Sequence, residues 1–315
     1  MNIMKKQKII NITAVLFTLF LLALFIQGTG KLLNPYGTDD AMNAVKAFHS
    51  LPEQSLDVCI FGSSIAWKGV DAGKMQKKFG FSAYNYGCNW QRINTTALFI
   101  SDALRTQTPK VICVDSYHVA DVLENSELNG EIYYTKAIPD SENKKAYLRQ
   151  CFGKNPERWL CYYVPLVMFH PNWKSLGKEN FHDNYSVSYF QKTRGYNKSK
   201  HVYKNKLNDY HSFGQSQLPD ASLQILDSIM DMCREKNVEV VFYTTPFGGS
   251  EYPYYDAMEK YAEENGCTYL NGFALAEEIG LDPKTDFQDK DHLNKNGAGK
   301  MADYLGSYIK DHFTV

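Results

Sequence analysis

The chain has no surplus charge of either sign: Lys+Arg 34 stand against Asp+Glu 35, a formal net charge of -1. A nucleic-acid-binding surface needs a basic excess, so no such partner is expected. There is no Cys-x-x-Cys pair, and the cysteine count of 7 is odd. Neither a zinc site nor a complete disulfide framework follows from that pattern, and Cys59 and Cys113 fall inside apolar runs as small core residues. His170, His182, His201 and His211 are scattered without metal-ligand spacing, so no metal and no other cofactor is expected. Internal repeats and low-complexity segments are missing, and 22% charged with 14% aromatic residues excludes global disorder. What is plentiful is Tyr 22 and Phe 18, a composition suited to surfaces that handle sugars or membranes. The length allows one large domain or two small ones around a substantial core.

One hydrophobic run is long. Ile9 to Ile26 is interrupted only by Asn11, Thr13 and Thr18, and roughly 17–25 such residues cross a bilayer as a helix. Lys5, Lys6 and Lys8 precede it with no acidic residue, which by the positive-inside rule holds the N-terminus in the cytoplasm. The expected organisation is a cytoplasmic tail (1–8), an anchor (9–27), a juxtamembrane linker (28–55) and an extracytoplasmic domain (56–315). A cleaved signal peptide is the competing reading, with Gly28-Thr29-Gly30 as a weak cleavage site. Both readings export the domain.

Within that domain, short apolar runs alternate with helical spacing. Strands are predicted at 56–62, 81–86, 110–115, 238–244 and 267–270, and helices at 40–50, 71–79, 90–104, 220–236, 251–265 and 295–313, the last capped by Asn294. This rhythm implies a mostly parallel, flavodoxin-like sheet in a three-layer α/β/α sandwich. It breaks between 117 and 217, a stretch rich in Tyr, Trp, Asn and Lys, too long for a single loop. The stretch reads as an inserted helical cap beside the sheet's functional edge. Its aromatics Trp159, Tyr162, Tyr163 and Trp173 suit sugar stacking or the cap's own core. Its basic residues Lys192, Arg194, Lys198, Lys200, Lys204 and Lys206 suit a solvated face, anionic headgroups or a polyanionic polymer. Glycosylation sequons stand at Asn94, Asn184 and Asn197.

Ligands of open α/β sheets bind outside the carboxyl ends of the strands, which directs attention to the residues after each strand. Gly62-Ser63-Ser64 follows the first, where glycine permits a tight turn that presents a serine hydroxyl. Near the C-terminus, Asp289-Lys290-Asp291-His292 places a carboxylate three residues before an imidazole. That spacing lets Asp289 hold Nδ1 and leaves Nε2 as a general base. Asp286 and Asp291 are alternative carboxylates, and Asp115 and His118 lie at the same sheet edge.

Together these blocks resemble the SGNH (GDSL-like) hydrolases, over about 56–116 and 220–312. The resemblance implies Ser64 as nucleophile, His292 as base and Asp289 as orienting carboxylate, although Ser63 stands where the family motif has Asp. The family's second block matches Tyr84-Asn85-Tyr86-Gly87-Cys88-Asn89. It implies an oxyanion hole of the Ser64 and Gly87 N–H groups. The third block, Gly-x-Asn-Asp, is replaced by Val114-Asp115-Ser116-Tyr117-His118, so Asn89 is the candidate third donor. The anchor and His170-Pro171-Asn172-Trp173 are similar to an exported branch that includes teichoic acid D-alanine transfer proteins and glycan O-acetylation partners. That branch implies acyl-ester hydrolysis or O-acyl transfer on a cell-envelope glycan or polymer, with a membrane-bound O-acyltransferase as partner. It also leaves open a non-catalytic scaffold for such an acyltransferase.

Overall fold

The computed structural model describes residues 3–34, 38–123, 130–177, 180, 185–207, 209–249 and 251–315. Helix α1 (Ile3–Leu32) precedes α2 (Thr38–His49), β1 (Val58–Phe61), α3 (Ser64–Gly69), α4 (Ala72–Phe79), β2 (Ala83–Asn85), α5 (Ile93–Ala103) and β3 (Val111–Asp115). The insert carries α6 (Gly130–Tyr134), α7 (Glu142–Phe152), α8 (Pro156–Tyr163), α9 (Pro165–Phe169) and α10 (Val187–Thr193). The alternation resumes with α11 (Asp220–Arg234), β4 (Glu239–Thr244), α12 (Tyr255–Asn265), β5 (Thr268–Asn271), α13 (Ala276–Ile279) and α14 (Lys295–His312).

All strand pairs are parallel, in the order β2-β1-β3-β4-β5. Strand residues point alternately to two faces, and each face has its own helical layer. Cys59, Phe61, Ile112, Val114, Val240 and Phe242 meet α2, α5, α11 and α12 on one side. Val58, Ile60, Val111, Cys113, Val241 and Tyr243 meet α4 and α14 on the other. The fold is a three-layer α/β/α sandwich with flavodoxin-like strand order. All seven cysteines are unpaired.

Two stretches differ from the expected organisation. The segment 28–55, read as a linker with a helix at 40–50, contains the end of α1 and that helix, as α2 (Thr38–His49). Helix α1 continues through it to Leu32 as one apolar helix long enough to cross a membrane. Helix α2 then buries Ala41, Ala44, Val45, Ala47 and Phe48, with the Phe48 ring stacked on Tyr86 at 4.0 Å. Burying a Val or Phe side chain contributes roughly 1.5–3 kcal/mol, which holds this stretch in the helical layer.

Nor does most of 117–217 cap the site. Tyr134, Tyr147, Phe152, Tyr162 and Phe190 join the core around α2 and α5. The reason lies in α5: its polar residues Asn94, Thr95, Thr96 and Asp102 are as buried as its apolar ones, so a second layer must cover and satisfy them. Glu131 of α6 does part of this, accepting from the Arg92 N–H at 2.8 Å and from the Thr95 hydroxyl at 2.5 Å. Among the sequons, Asn94 and Asn197 are buried and Asn184 lies outside the described residues, as does His182.

Candidate active site

Strand β1 ends at Phe61, and Gly62 turns the chain with φ +140°, a conformation L side chains rarely adopt. A Cβ at Gly62 would lie 2.8 Å from Asp115 Cβ and 3.0 Å from Ala66 Cβ, so the turn fits tightly between β3 and α3. Ser63 caps α3, its Oγ accepting the Ile65 N–H at 3.3 Å. Ser64 is the first residue of α3, and its own N–H therefore has no intrahelical acceptor. The turn sits between β1 and β3, where the strand order reverses, the position at which such sheets bind ligands.

From the far end of the sequence, the loop before α14 is folded back as a narrow hairpin. Phe287 bridges Leu293, and Gln288 N–H donates to His292 O at 2.9 Å. Asn294 caps α14 while its amide donates to the carbonyls of Thr285, Phe287 and His201. A strap from the insert clamps the outside: Tyr203 N–H donates to Phe287 O, Asn205 Nδ2 to Lys290 O, and the His201 ring to Gln288 O. The same strap pins α3, since Trp67 donates its indole N–H to Gly195 O at 2.8 Å.

These constraints bring Ser64 Oγ to 2.7 Å from His292 Nε2. On the other side of the ring, His292 Nδ1 lies 2.9 and 3.0 Å from the two Asp289 oxygens. Asp289 Oδ1 also accepts the backbone N–H groups of Asp291 and His292. Burial pushes the Asp289 carboxyl upward, but the His292 hydrogen bond and charge and the two N–H donors outweigh it and hold the group well below the usual carboxylate range. An ionised carboxylate only accepts, so Nδ1 carries the proton and Nε2 accepts from the Ser64 hydroxyl. Asp286 is elsewhere engaged, by Lys300 at 2.6 Å and Thr285 at 3.0 Å. Asp291 packs against Gly249.

The oxyanion donors are placed less simply. The 87–89 loop lies against the serine turn, with Cys88 N–H donating to Gly62 O at 3.1 Å. The Gly87 N–H, however, is already given to Asn85 Oδ1 at 3.0 Å, so it is not free for an oxyanion as it stands. Asn85 is itself fixed, its amide bridging Ala66 O and Val70 O across α3. That role was not anticipated; a polar residue ending a fully buried strand was the available signal. Asn89 receives Tyr134 OH on its carbonyl at 2.9 Å, and its half-buried side-chain amide makes no hydrogen bond to any described residue.

Lys68, four residues after Ser64 and hence on the same side of α3, is a second residue that sequence reasoning passed over. Burial lowers the affinity of its amine for a proton, and the nearby Asp289 carboxylate opposes that shift. His118 pairs with Asp121 at 2.5 Å and lies 6.1 Å from the exposed Trp90 ring.

Asp115, directly beneath the Gly62 turn, is pushed up to about 6 from 3.8 by burial, against donors from Tyr117 and Thr245. A raised carboxyl binds its proton more tightly in the folded state. Its contribution to stability is therefore complete below about pH 4 and is lost as pH climbs through about 6. At about 1.4 kcal/mol per pKa unit this is worth roughly 3 kcal/mol. The urea midpoint of the wild-type protein should fall between pH 4.5 and 7 relative to that of Asp115→Asn; parallel profiles would refute the assignment.

No protein-family model matches this chain, and no curated protein matches it. Among solved structures it is similar to a Bacteroides fragilis protein described as a "putative acylhydrolase", at 11% identity and a TM-score of 0.42, over 85% of this chain and 94% of that one. A likeness of that size carries no functional argument, and the reading of function rests on the site's own geometry.

Proposed function

We propose that the chain is a serine acyl-esterase or O-acyltransferase of the SGNH type, anchored by α1, with its domain outside the cytoplasm. The observation that carries this reading is the continuous path from Ser64 Oγ through His292 to the Asp289 carboxylate. Ser64 attacks an ester carbonyl while His292 Nε2 takes the hydroxyl proton. The Ser64 N–H, which has no intrahelical acceptor, is the donor proposed for the developing oxyanion, with the Asn89 amide as a candidate second; Gly87 joins them only if Asn85 releases it. Collapse of the intermediate expels the alcohol, which takes the proton from His292 and leaves acyl-Ser64. Water or a sugar hydroxyl then gives its proton to His292 and attacks the acyl carbon, and His292 returns that proton to the departing Ser64 Oγ.

A cell-envelope polymer suits the surroundings. Trp90, Val202 and Tyr203 are exposed on the two segments flanking the site. Lys192, Lys198, Lys200, Lys204 and Lys206 are exposed on and before the strap, while Arg194 is tied to Ala83 O. An engaged Gly87 N–H favours a second reading, in which the chain keeps the fold as a scaffold for a membrane-bound O-acyltransferase. Incubating the full chain with a fluorophosphonate and weighing it intact separates the two. One covalent adduct, mapped to Ser64, is expected; a folded protein that forms none would exclude the acyl-serine mechanism.

A further inference from the structure

Among the described residues outside α1 and the site's rim, the large exposed hydrophobic side chains are Leu160, Tyr163, Val167, Trp173 and Leu176, all within the insert between α8 and the turn after α9. Leu160 and Tyr163 are exposed on α8, and Val167 is exposed on α9, beyond the non-helical Val164 that separates the two helices. The inner side of the same helices already supplies the packing contacts, through Cys161, Tyr162, Pro165 and Phe169. The exposed row is therefore not needed by the domain's own core.

Its position relative to α1 is fixed by close contacts. A Cβ at Gly30 would lie 2.5 Å from Leu166 N and 2.8 Å from Pro165 Cβ, an approach that only glycine permits. Gln27 Nε2 reaches Tyr163 O at 3.5 Å, and Asn172 Nδ2 reaches Leu33 O at 3.2 Å. A helix rises about 1.5 Å per residue, so Gly30 stands about 6 Å beyond Ile26, the end of the apolar run. A bilayer's headgroup layer is roughly 5–8 Å deep on each side of its hydrocarbon core. The row thus begins at the depth where the anchor emerges.

We propose that the outer face of α8, α9 and the turn carrying Trp173 lies in the plane of the lipid headgroups, as a second contact with the bilayer that α1 crosses. The proposal rests on the anchor reading of α1 and adds an in-plane element to it. Residue chemistry fits that layer: Tyr and Trp combine an apolar body with a polar tip, and Lys174 holds its ammonium 5.5 Å from the Trp173 ring. Beside Trp159 and Tyr163 is a cleft lined by Lys136, Lys144, Lys145 and Arg149. Lys144 is buried on Ile138 O and Asp140, Lys136 donates to Tyr162 O and Lys145 pairs with Glu142, so the exposed Arg149 is the cation it offers to anionic headgroups.

Helix α1 contains no tryptophan, so tryptophan quenching by the bilayer reports on the domain. The full chain would be placed in phosphatidylcholine–phosphatidylglycerol nanodiscs whose acyl chains carry bromine near the headgroups. Bromine-dependent quenching is expected, and Trp173→Phe should remove about half of it or more, as an interfacial side chain would. Trp90→Phe should leave it in place. Trp173 is 62% exposed, so its replacement spares the fold. Alkaline extraction of the same chain from vesicles gives the control. A chain that washes off overturns the anchor and the second contact together. A chain that stays while Trp173→Phe leaves quenching unchanged overturns the second contact alone, and a protein partner on that face would give this result in pure lipid.

Discussion

Ser64→Ala is expected to abolish the fluorophosphonate adduct and to lower hydrolysis of a short acetyl ester by at least about 10³-fold. The size follows from what the hydroxyl does. Without Oγ there is no acyl-serine, and the reaction must pass directly from ester to water. Ser64 has its hydroxyl 2.7 Å from His292 Nε2. His292→Ala should cost about as much, and the double variant little more, because the two groups act as one device. The substitution deletes one oxygen from a half-buried position, so the urea midpoint should stay within error of wild type. If Ser64→Ala retains most of the ester hydrolysis, the serine is not the nucleophile.

Asp289→Asn should lower kcat for the same ester by about 10³-fold or more while leaving the loop folded. An asparagine can keep its oxygen on the Asp291 and His292 N–H groups, where Oδ1 now sits. Its amide nitrogen then replaces Oδ2, 3.0 Å from Nδ1. That amide N–H competes for Nδ1 with the retained oxygen 2.9 Å away, and so favours the tautomer protonated on Nε2, which presents a hydrogen to Ser64 where an acceptor is required. The imidazolium formed during attack also loses its counter-charge. Asp289 is half exposed, and water screens that second effect, which leaves the tautomer as the dominant cause. Kinetics beside a denaturation curve test this: a fall in kcat with unchanged stability is the expected pair. Unchanged kcat would remove Asp289 from the mechanism.

The sheet was legible because buried parallel strands read as short apolar runs ended by polar or glycine residues, as at Val58–Phe61 and Val111–Asp115. The serine and histidine were legible for a related reason, since strand ends are where such sheets hold ligands. Two things were hidden. The aromatic insert resembles a cap in composition, but its destination depends on α5, whose buried polar residues read as an exposed face. The Gly87 N–H was assigned outward by analogy, whereas the Asn85 side chain takes it inward, a local competition that spacing does not encode.

The unpaired cysteines bear on where such a chain can fold. Burial raises all seven thiols above their ordinary range, which keeps them protonated and poor at attacking a disulfide. Stability here is supplied by two apolar faces of one sheet, without oxidative cross-links. Such a domain needs no oxidant or disulfide isomerase to form its native pairing, because it has none to form.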